Sequence, residues 1–394
     1  MVEKLTTVEA AAEFGPNWCL FWGERVARSQ FEIWLPYVRR SRNRYAVMSG
    51  HDEIPPWVVE QVAGLPNVAV LDWPNRSWLR ASRGFRGFLY IVNRHENFSV
   101  VSAFPRHAHV WLGHGDSEKK ANAFRTVSLY DAVMMARYSN VRRFPRAVRR
   151  SAWHAACATG ATIVEGATKD PWTDDRRIRA ILYAPTWEGK SDRVDYSSLP
   201  VVAPILTAAM PGLAERGVRV IMRAHPGTGT RRPERSELVK ALAAAGVETK
   251  VPKAEAFGAA DVMISDISGV TGEFLFTEKP NLMPVWPSLA NTGKSRASLE
   301  RDYPWTYPWD IEHQDLAAAL ASLEGSDPLR PRRAAAARWM FRGHRSLEDA
   351  VKTFDLALTM PRWRKLNVPL RFVFEPAIRL PWLARFLERR RRRR

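Results

Sequence analysis

The stretch Ala260–Val285, ADVMISDISGVTGEFLFTEKPNLMPV, constrains the fold of this chain more than any other. Asp261 to Ser265 reads as a short buried strand, because Val262, Met263 and Ile264 stand in a row. Asp266, Ser268, Gly269, Thr271 and Gly272 make a small polar turn. Glu273 to Phe276 opens a helix that Lys279-Pro280 ends, and Asn281 to Val285 returns as an apolar strand. Such a turn aims backbone N–H groups and the positive helix end at whatever sits above the sheet, and a phosphate is the natural guest. An ordinary helix start with Ser268 as N-cap uses the same residues. The rest of the chain decides between the two.

Strand-like runs recur on both sides of a polar stretch, Gly166 to Arg177. Before it lie Tyr45–Met48, Asn67–Leu71, Gly87–Val92 (which could also open a helix), His109–Leu112, Asp131–Ala136 and Ala161–Val164. After it come Arg179–Tyr183 and Val218–Arg223, then the opening stretch. Helical patterns alternate with them: Val201–Arg216, which Pro211 is expected to break, then Glu234–Ala245, Leu316–Leu323, Ala334–Phe341 and Leu347–Leu358. Alternation of this kind predicts an α/β fold with parallel sheets. Residues 1 to about 40 read as helical and amphipathic, anchored by Phe31, Ile33, Trp34 and Leu35. The expected organisation is a first domain over 1–166, a linker over 167–178, a second domain over 179–360 and a tail over 361–394. At 394 residues and 46% hydrophobic content, two real cores are affordable.

Four polar clusters fall at expected strand ends: Gly113-His114-Gly115-Asp116-Ser117, Ala184-Pro185-Thr186-Trp187, Arg223-Ala224-His225-Pro226 and Ser265 to Gly269. Ligands of open parallel sheets bind outside the carboxyl ends of strands, so four clusters in two halves predict a cleft between domains. His114 stands between two glycines and could serve as a general base; it could also be a loop histidine with no task. Arg223 and His225 suit a phosphate, through a guanidinium fork and one further donor. Glu273, one turn into the helix, could accept from a ribose diol or simply favour the helix start. Asp174-Asp175 lies in the linker, and no DxD ends a strand. Chemistry without a metal ion is therefore expected. Cys19 and Cys157 make neither a disulfide framework nor a metal spacing.

The net charge is +19, and residues 361–394 supply +10 of it, with twelve Lys/Arg against two Glu. Trp363, Phe372, Phe374, Trp382 and Phe386 are interleaved with Arg371, Arg379, Arg385 and the run Arg389 to Arg394. Aromatic residues mixed with arginine suit an anionic bilayer surface. A flexible basic tail and a nucleic-acid-binding tail are the alternatives. No secretion signal and no membrane-spanning run are expected.

With these motifs in hand, the chain resembles the CDP-glycerol glycerophosphotransferase family, which builds teichoic-acid-type polymers. The motifs are His114-Gly115, Tyr183-Ala184-Pro185-Thr186-Trp187, Arg223-Ala224-His225-Pro226, and Ser265-Asp266-Ile267-Ser268-Gly269-Val270 followed by Glu273. Two departures stand out. Asp116-Ser117-Glu118-Lys119 replaces the usual Thr-Pro-Leu-Lys, and Gly269 replaces the second Ser of a Ser-Ser pair.

The resemblance implies a GT-B fold, two Rossmann-like domains facing across a cleft. It implies transfer of glycerol phosphate, or a related polyol phosphate, from a CDP-activated donor to a hydroxyl of a lipid-linked cell-wall or capsule polymer. No metal and no cofactor beyond the CDP-polyol substrate are implied. His114 and His225 are then the catalytic candidates. Arg223, Ser268, Gly269, Val270 and Thr271 would bind donor phosphate, and Glu273, Asp266 and Thr186 the nucleotide and its ribose. The expected location is the cytoplasmic face of the cell membrane, held peripherally by 361–394, with no nucleic-acid partner. A GT-B glycosyltransferase using a nucleotide sugar is the nearest alternative. A basic binding module without enzyme activity is the more distant one.

Overall fold

The computed structural model describes residues 3–5, 8–15, 18–22, 28–49, 54–71, 84–91, 96–112, 129–134, 177–189, 191–341 and 346–359. His114 and its cluster, the strand expected over Ala161–Val164, nearly all of the linker and the tail over 361–394 lie outside the described residues.

The described residues fall into two compact units. The first begins with β1 (Glu3–Leu5), α1 (Val8–Phe14), β2 (Trp18–Trp22), α2 (Arg28–Arg40), β3 (Tyr45–Ser49), α3 (Pro56–Val62) and β4 (Val68–Leu71). It continues with β5 (Gly87–Tyr90), α4 (Glu96–Ala103), β6 (Ala108–Leu112) and β7 (Ala132–Met134). Its parallel sheet runs β1-β4-β3-β2-β5-β6-β7. The expectation of a helical first forty residues is corrected here. Trp18-Cys19-Leu20-Phe21-Trp22 is a central strand, fully buried, between β3 and β5. A strand covered on both faces is apolar throughout and shows no alternation, so its five apolar residues blend into a helical pattern.

The second unit holds β8 (Ala180–Ala184), α5 (Leu199–Glu215), β9 (Arg219–Met222), α6 (Glu234–Ala244), α7 (Lys253–Ala259) and β10 (Val262–Ser265). There follow α8 (Gly269–Phe274), β11 (Asn281–Val285), α9 (Arg296–Asp302), β12 (Tyr307–Asp310), α10 (Leu316–Gly325) and α11 (Arg330–Met340). Its parallel sheet runs β12-β11-β10-β8-β9. Successive residues of each strand enter opposite cores. Ile181, Tyr183, Val220, Met222, Val262 and Ile264 face one cluster, and Leu182, Ile221 and Met263 face the other with Phe257 and Phe274.

α5 covers the first of these faces with Leu199, Val202, Ala203, Leu206, Met210 and Leu213. It runs unbroken through Pro204 and Pro211, contrary to the expected break. An interior proline costs ~3 kcal/mol, and each large apolar side chain buried on the sheet returns about 1.5–3 kcal/mol. Leu206, Met210 and Leu213 flank the prolines and outweigh them.

A second correction concerns the last helix, α12 (Leu347–Thr359). It was expected within the second domain, but it belongs to the first unit. Phe354 packs 5.7 Å from the rings of Trp34 and Tyr37. The buried Asp355 carboxylate accepts from the Ser41 hydroxyl, from Asn43 Nδ2 at 2.8 Å and from the Arg42 N–H at 3.1 Å. Arg86 Nη2 donates to the Thr359 carbonyl at 2.9 Å. The chain therefore passes through the second unit and returns to the first with α12.

Candidate functional site

In the second sheet the chain starts at β8, adds β9 on one side, then crosses to β10 on the other. β8 and β10 are thus the point where the order reverses, and their carboxyl ends border the crevice that such sheets offer to ligands. Three of the polar clusters sit on this edge, at the ends of β9, β8 and β10. These are neighbouring strands, spaced ~4.8 Å apart.

Asp266 follows β10 and is buried. Its Oδ2 accepts the N–H of Thr186 at 2.8 Å and of Ser198 at 3.1 Å. One carboxylate therefore ties the turn after β10 to the turn after β8 and to the start of α5. Tyr183 Oη shares a 3.0 Å hydrogen bond with Ser198 Oγ. Burial, and then the Asp266 charge, push that phenol well above its ordinary pKa. Asp266, Thr186 and Tyr183 together form the floor of the site.

Thr271 is also committed inward. Its Oγ1 donates to the Asp266 carbonyl at 2.7 Å and lies 3.0 Å from Ser265 Oγ. Ser268 behaves differently. It occupies the N-cap position of α8 in extended conformation, yet its hydroxyl makes no capping bond. That hydroxyl is buried and finds no hydrogen-bond partner among the described residues. The plain reading of Ser268 as a helix cap therefore does not hold. Gly269 and Val270, half-buried, begin the helix, where N–H groups lack intrahelical partners.

Arg223 leaves the end of β9 half-buried, and its Nη1 donates to the Val251 carbonyl at 2.6 Å. His225 is exposed and stacks on Trp187, with centroids 5.9 Å apart and planes inclined by 18°. Its Nδ1 accepts the Gly227 N–H at 2.9 Å. The neutral ring therefore carries its proton on Nε2. Glu273 is buried and pairs with Lys253 Nζ at 2.5 Å. Lys253 also lies 5.7 Å from the Phe257 ring centroid.

The structure brings together Thr186 with Asp266, Asp266 with Thr271, and Trp187 with His225. Sequence reasoning missed Glu188, buried beside Trp187 and bonded to the loop after β9. A lone acid directly after a strand-end motif was the available signal. Among the described residues no group of three or more His, Cys, Asp or Glu is placed to hold a metal ion, and no helix is long and apolar enough to cross a membrane.

Comparison with known proteins places this geometry. No curated protein sequence matches the chain. Among solved structures, Anabaena Alr3699/HepE in complex with UDP and glucose aligns at TM-score 0.51 and 12% identity, over 88% of this chain and 100% of that one. A putative UDP-N-acetylglucosamine 2-epimerase from Listeria monocytogenes aligns at 0.52 and 12%, over 87% and 96%. The wall teichoic acid polymerase TagF aligns at 0.47 and 12%, over 89% and 90%. The fold is of the GT-B class. Residues 162–322, which contain the whole edge just described, match the profile of CDP-Glycerol:Poly(glycerophosphate) glycerophosphotransferase. Over that stretch, about two fifths of its length, the chain is similar to this family of transferases.

Proposed function

We propose that the chain moves a polyol-phosphate unit, glycerol phosphate foremost, from a CDP-activated donor to a hydroxyl of a lipid-linked cell-wall or capsule polymer. The observation that carries this reading is Ser268. Among the described residues its buried hydroxyl lacks a partner, at a helix start on the switch-point edge where a pyrophosphate oxygen would complete it. The N–H groups of Gly269, Val270 and Thr271 add backbone donors. Arg223 and His225 serve the phosphoryl group in flight, and Glu273 the ribose. Asp266 and Thr186 shape the floor under the nucleotide.

The acceptor oxygen forms a bond to the phosphorus that carries the polyol, and the bond to the cytidine phosphate breaks. CMP leaves with that bond's electrons. His114 takes the proton of the attacking hydroxyl. Transfer of this kind asks mainly for positioning and charge stabilisation, which these residues can provide without a metal. Residues 361–394 hold the enzyme against the anionic inner face of the membrane, where a lipid-linked acceptor is reached.

Calorimetry with CDP-polyols and nucleotide sugars tests the donor. It is run on the full chain and on a chain ending at Met360, and both proteins are then mixed with anionic vesicles. Both chains should bind CDP-glycerol in preference to nucleotide sugars, and only the full chain should sediment with vesicles at low salt. Preference for a nucleotide sugar defeats the donor assignment, and equal sedimentation defeats the role of the tail.

A further inference from the structure

The loop after β9, His225 to Arg232, reads HPGTGTRR and carries two arginines beside the site. Those arginines look like further phosphate ligands, but both guanidinium groups are engaged by acceptors of the protein itself. Arg231 Nε donates to the Gly189 carbonyl at 3.0 Å, its Nη2 to the Glu188 carbonyl at 3.1 Å and its Nη1 to Asp192 at 3.0 Å. Arg232 Nη2 donates to Asp192 at 2.6 Å. What the loop closes on is Glu188. Its Oε1 accepts the N–H of Arg231 at 2.8 Å and of Arg232 at 3.1 Å, and its Oε2 that of Gly229 at 3.2 Å. Burial alone would raise this carboxyl, but the backbone N–H groups outweigh it and hold it below its ordinary range. Glu188 is therefore an ionised acceptor that takes three main-chain N–H groups of the loop besides its own.

The other end of the loop sets the histidine. Gly227 N–H faces His225 Nδ1, Thr228 N–H donates to the His225 carbonyl at 2.8 Å, and Trp187, the neighbour of Glu188, lies under the ring. The glycines are required by the close fit. A Cβ on Gly227 would stand 3.2 Å from both Nδ1 and the Trp187 ring. Gly229 has φ +82°, and a Cβ there would meet Ser236 Oγ.

We infer that Glu188 is a positioning residue: through the 227–232 loop it keeps the Gly227 N–H on His225 Nδ1 and so holds His225 in the Nε2–H tautomer. Its value to catalysis rests on the proposed role of His225, whereas the tautomer itself does not. A donor fixed on one ring nitrogen decides which nitrogen offers the proton.

The test is long-range proton–nitrogen correlation of the histidine rings in the full chain, at a pH alkaline enough to keep imidazoles neutral. The His225 signal is assigned by its absence from His225→Ala. Wild type should show one tautomer, protonated on Nε2. Glu188→Gln keeps one acceptor oxygen but turns an amide donor on the loop, and should show both tautomers. Its turnover should fall about 10–100-fold, the usual cost of losing an orienting partner, with the KM for donor little changed. Glu188→Asp withdraws the carboxylate by one methylene and should show a smaller mixture of the same kind. It serves if Glu188→Gln does not fold. A folded variant that keeps the single wild-type tautomer overturns the inference, whatever its turnover. A shifted tautomer with unchanged turnover upholds the inference and instead removes His225 from the transfer.

Discussion

His225→Ala is expected to lower turnover of a CDP-polyol donor about 10²–10³-fold, the cost of removing one preorganised donor to developing charge. The ring stands exposed at the end of β9, supported by Trp187 beneath and held by Gly227 at Nδ1. It is buttressed on the protein side and presents Nε2–H as its donor. In the proposed transfer its partner is charge that grows only in transit, so donor affinity should change no more than a few-fold. Arg223→Ala should weaken both binding and turnover, since a guanidinium attracts ground-state phosphate as well. Single-turnover rates together with donor Kd separate the two effects. A His225→Ala enzyme that binds donor poorly but reacts at the wild-type rate would assign this histidine to binding alone.

Asp327→Ala is expected to destabilise the second unit by about 3–5 kcal/mol, the cost of stranding a buried charge. Arg333, on α11, is fully buried and ion-paired with Asp327. Its Nε donates to the Glu278 carbonyl at 3.0 Å, and Tyr307 Oη donates to Asp327 Oδ1 at 2.5 Å. Glu278 is the one non-glycine residue with positive φ among the described residues, at +62°, so the same guanidinium also pins a strained turn. The cluster belongs to β12 and α11, at the opposite side of the sheet from β8 and β9. Turnover per folded molecule should therefore be unchanged. The denaturant midpoint of the second unit measures the loss, and Arg333→Leu added to Asp327→Ala should recover much of it, because an apolar replacement strands no charge. A single variant with the wild-type midpoint would mean that water reaches Arg333.

The site edge was legible in the sequence for a physical reason. Val262-Met263-Ile264 is a short apolar run closed by Asp and Ser, and Ser265 to Gly269 can only be a turn. The Ala184–Trp187 and Arg223–Pro226 clusters end strands of the same kind. The sheet order then sets β9, β8 and β10 side by side, a neighbourhood that no local pattern encodes. β2 was hidden because a strand buried on both faces loses its alternation. β12, Tyr-Pro-Trp-Asp, was hidden because Pro308 argues against a strand, yet β12 is an edge strand where proline is tolerated. The return of α12 to the first unit depends on Asp355 meeting Ser41 and Asn43, more than three hundred residues away. Helical periodicity shows that a face is apolar, not which surface it will cover. The same limit kept Glu188 from view, since its partners are main-chain N–H groups that any residues could supply.

A phosphoryl group is expected to move, and not a glycosyl group. The nucleotide product reports it directly. With CDP-glycerol and a hydroxyl-bearing polymer acceptor, in buffer containing EDTA, phosphoryl transfer breaks the bridge between the two phosphates. Each polyol phosphate added to the polymer should then release one CMP. Release of a nucleoside diphosphate, or product that forms only when a nucleotide sugar replaces CDP-glycerol, would contradict it.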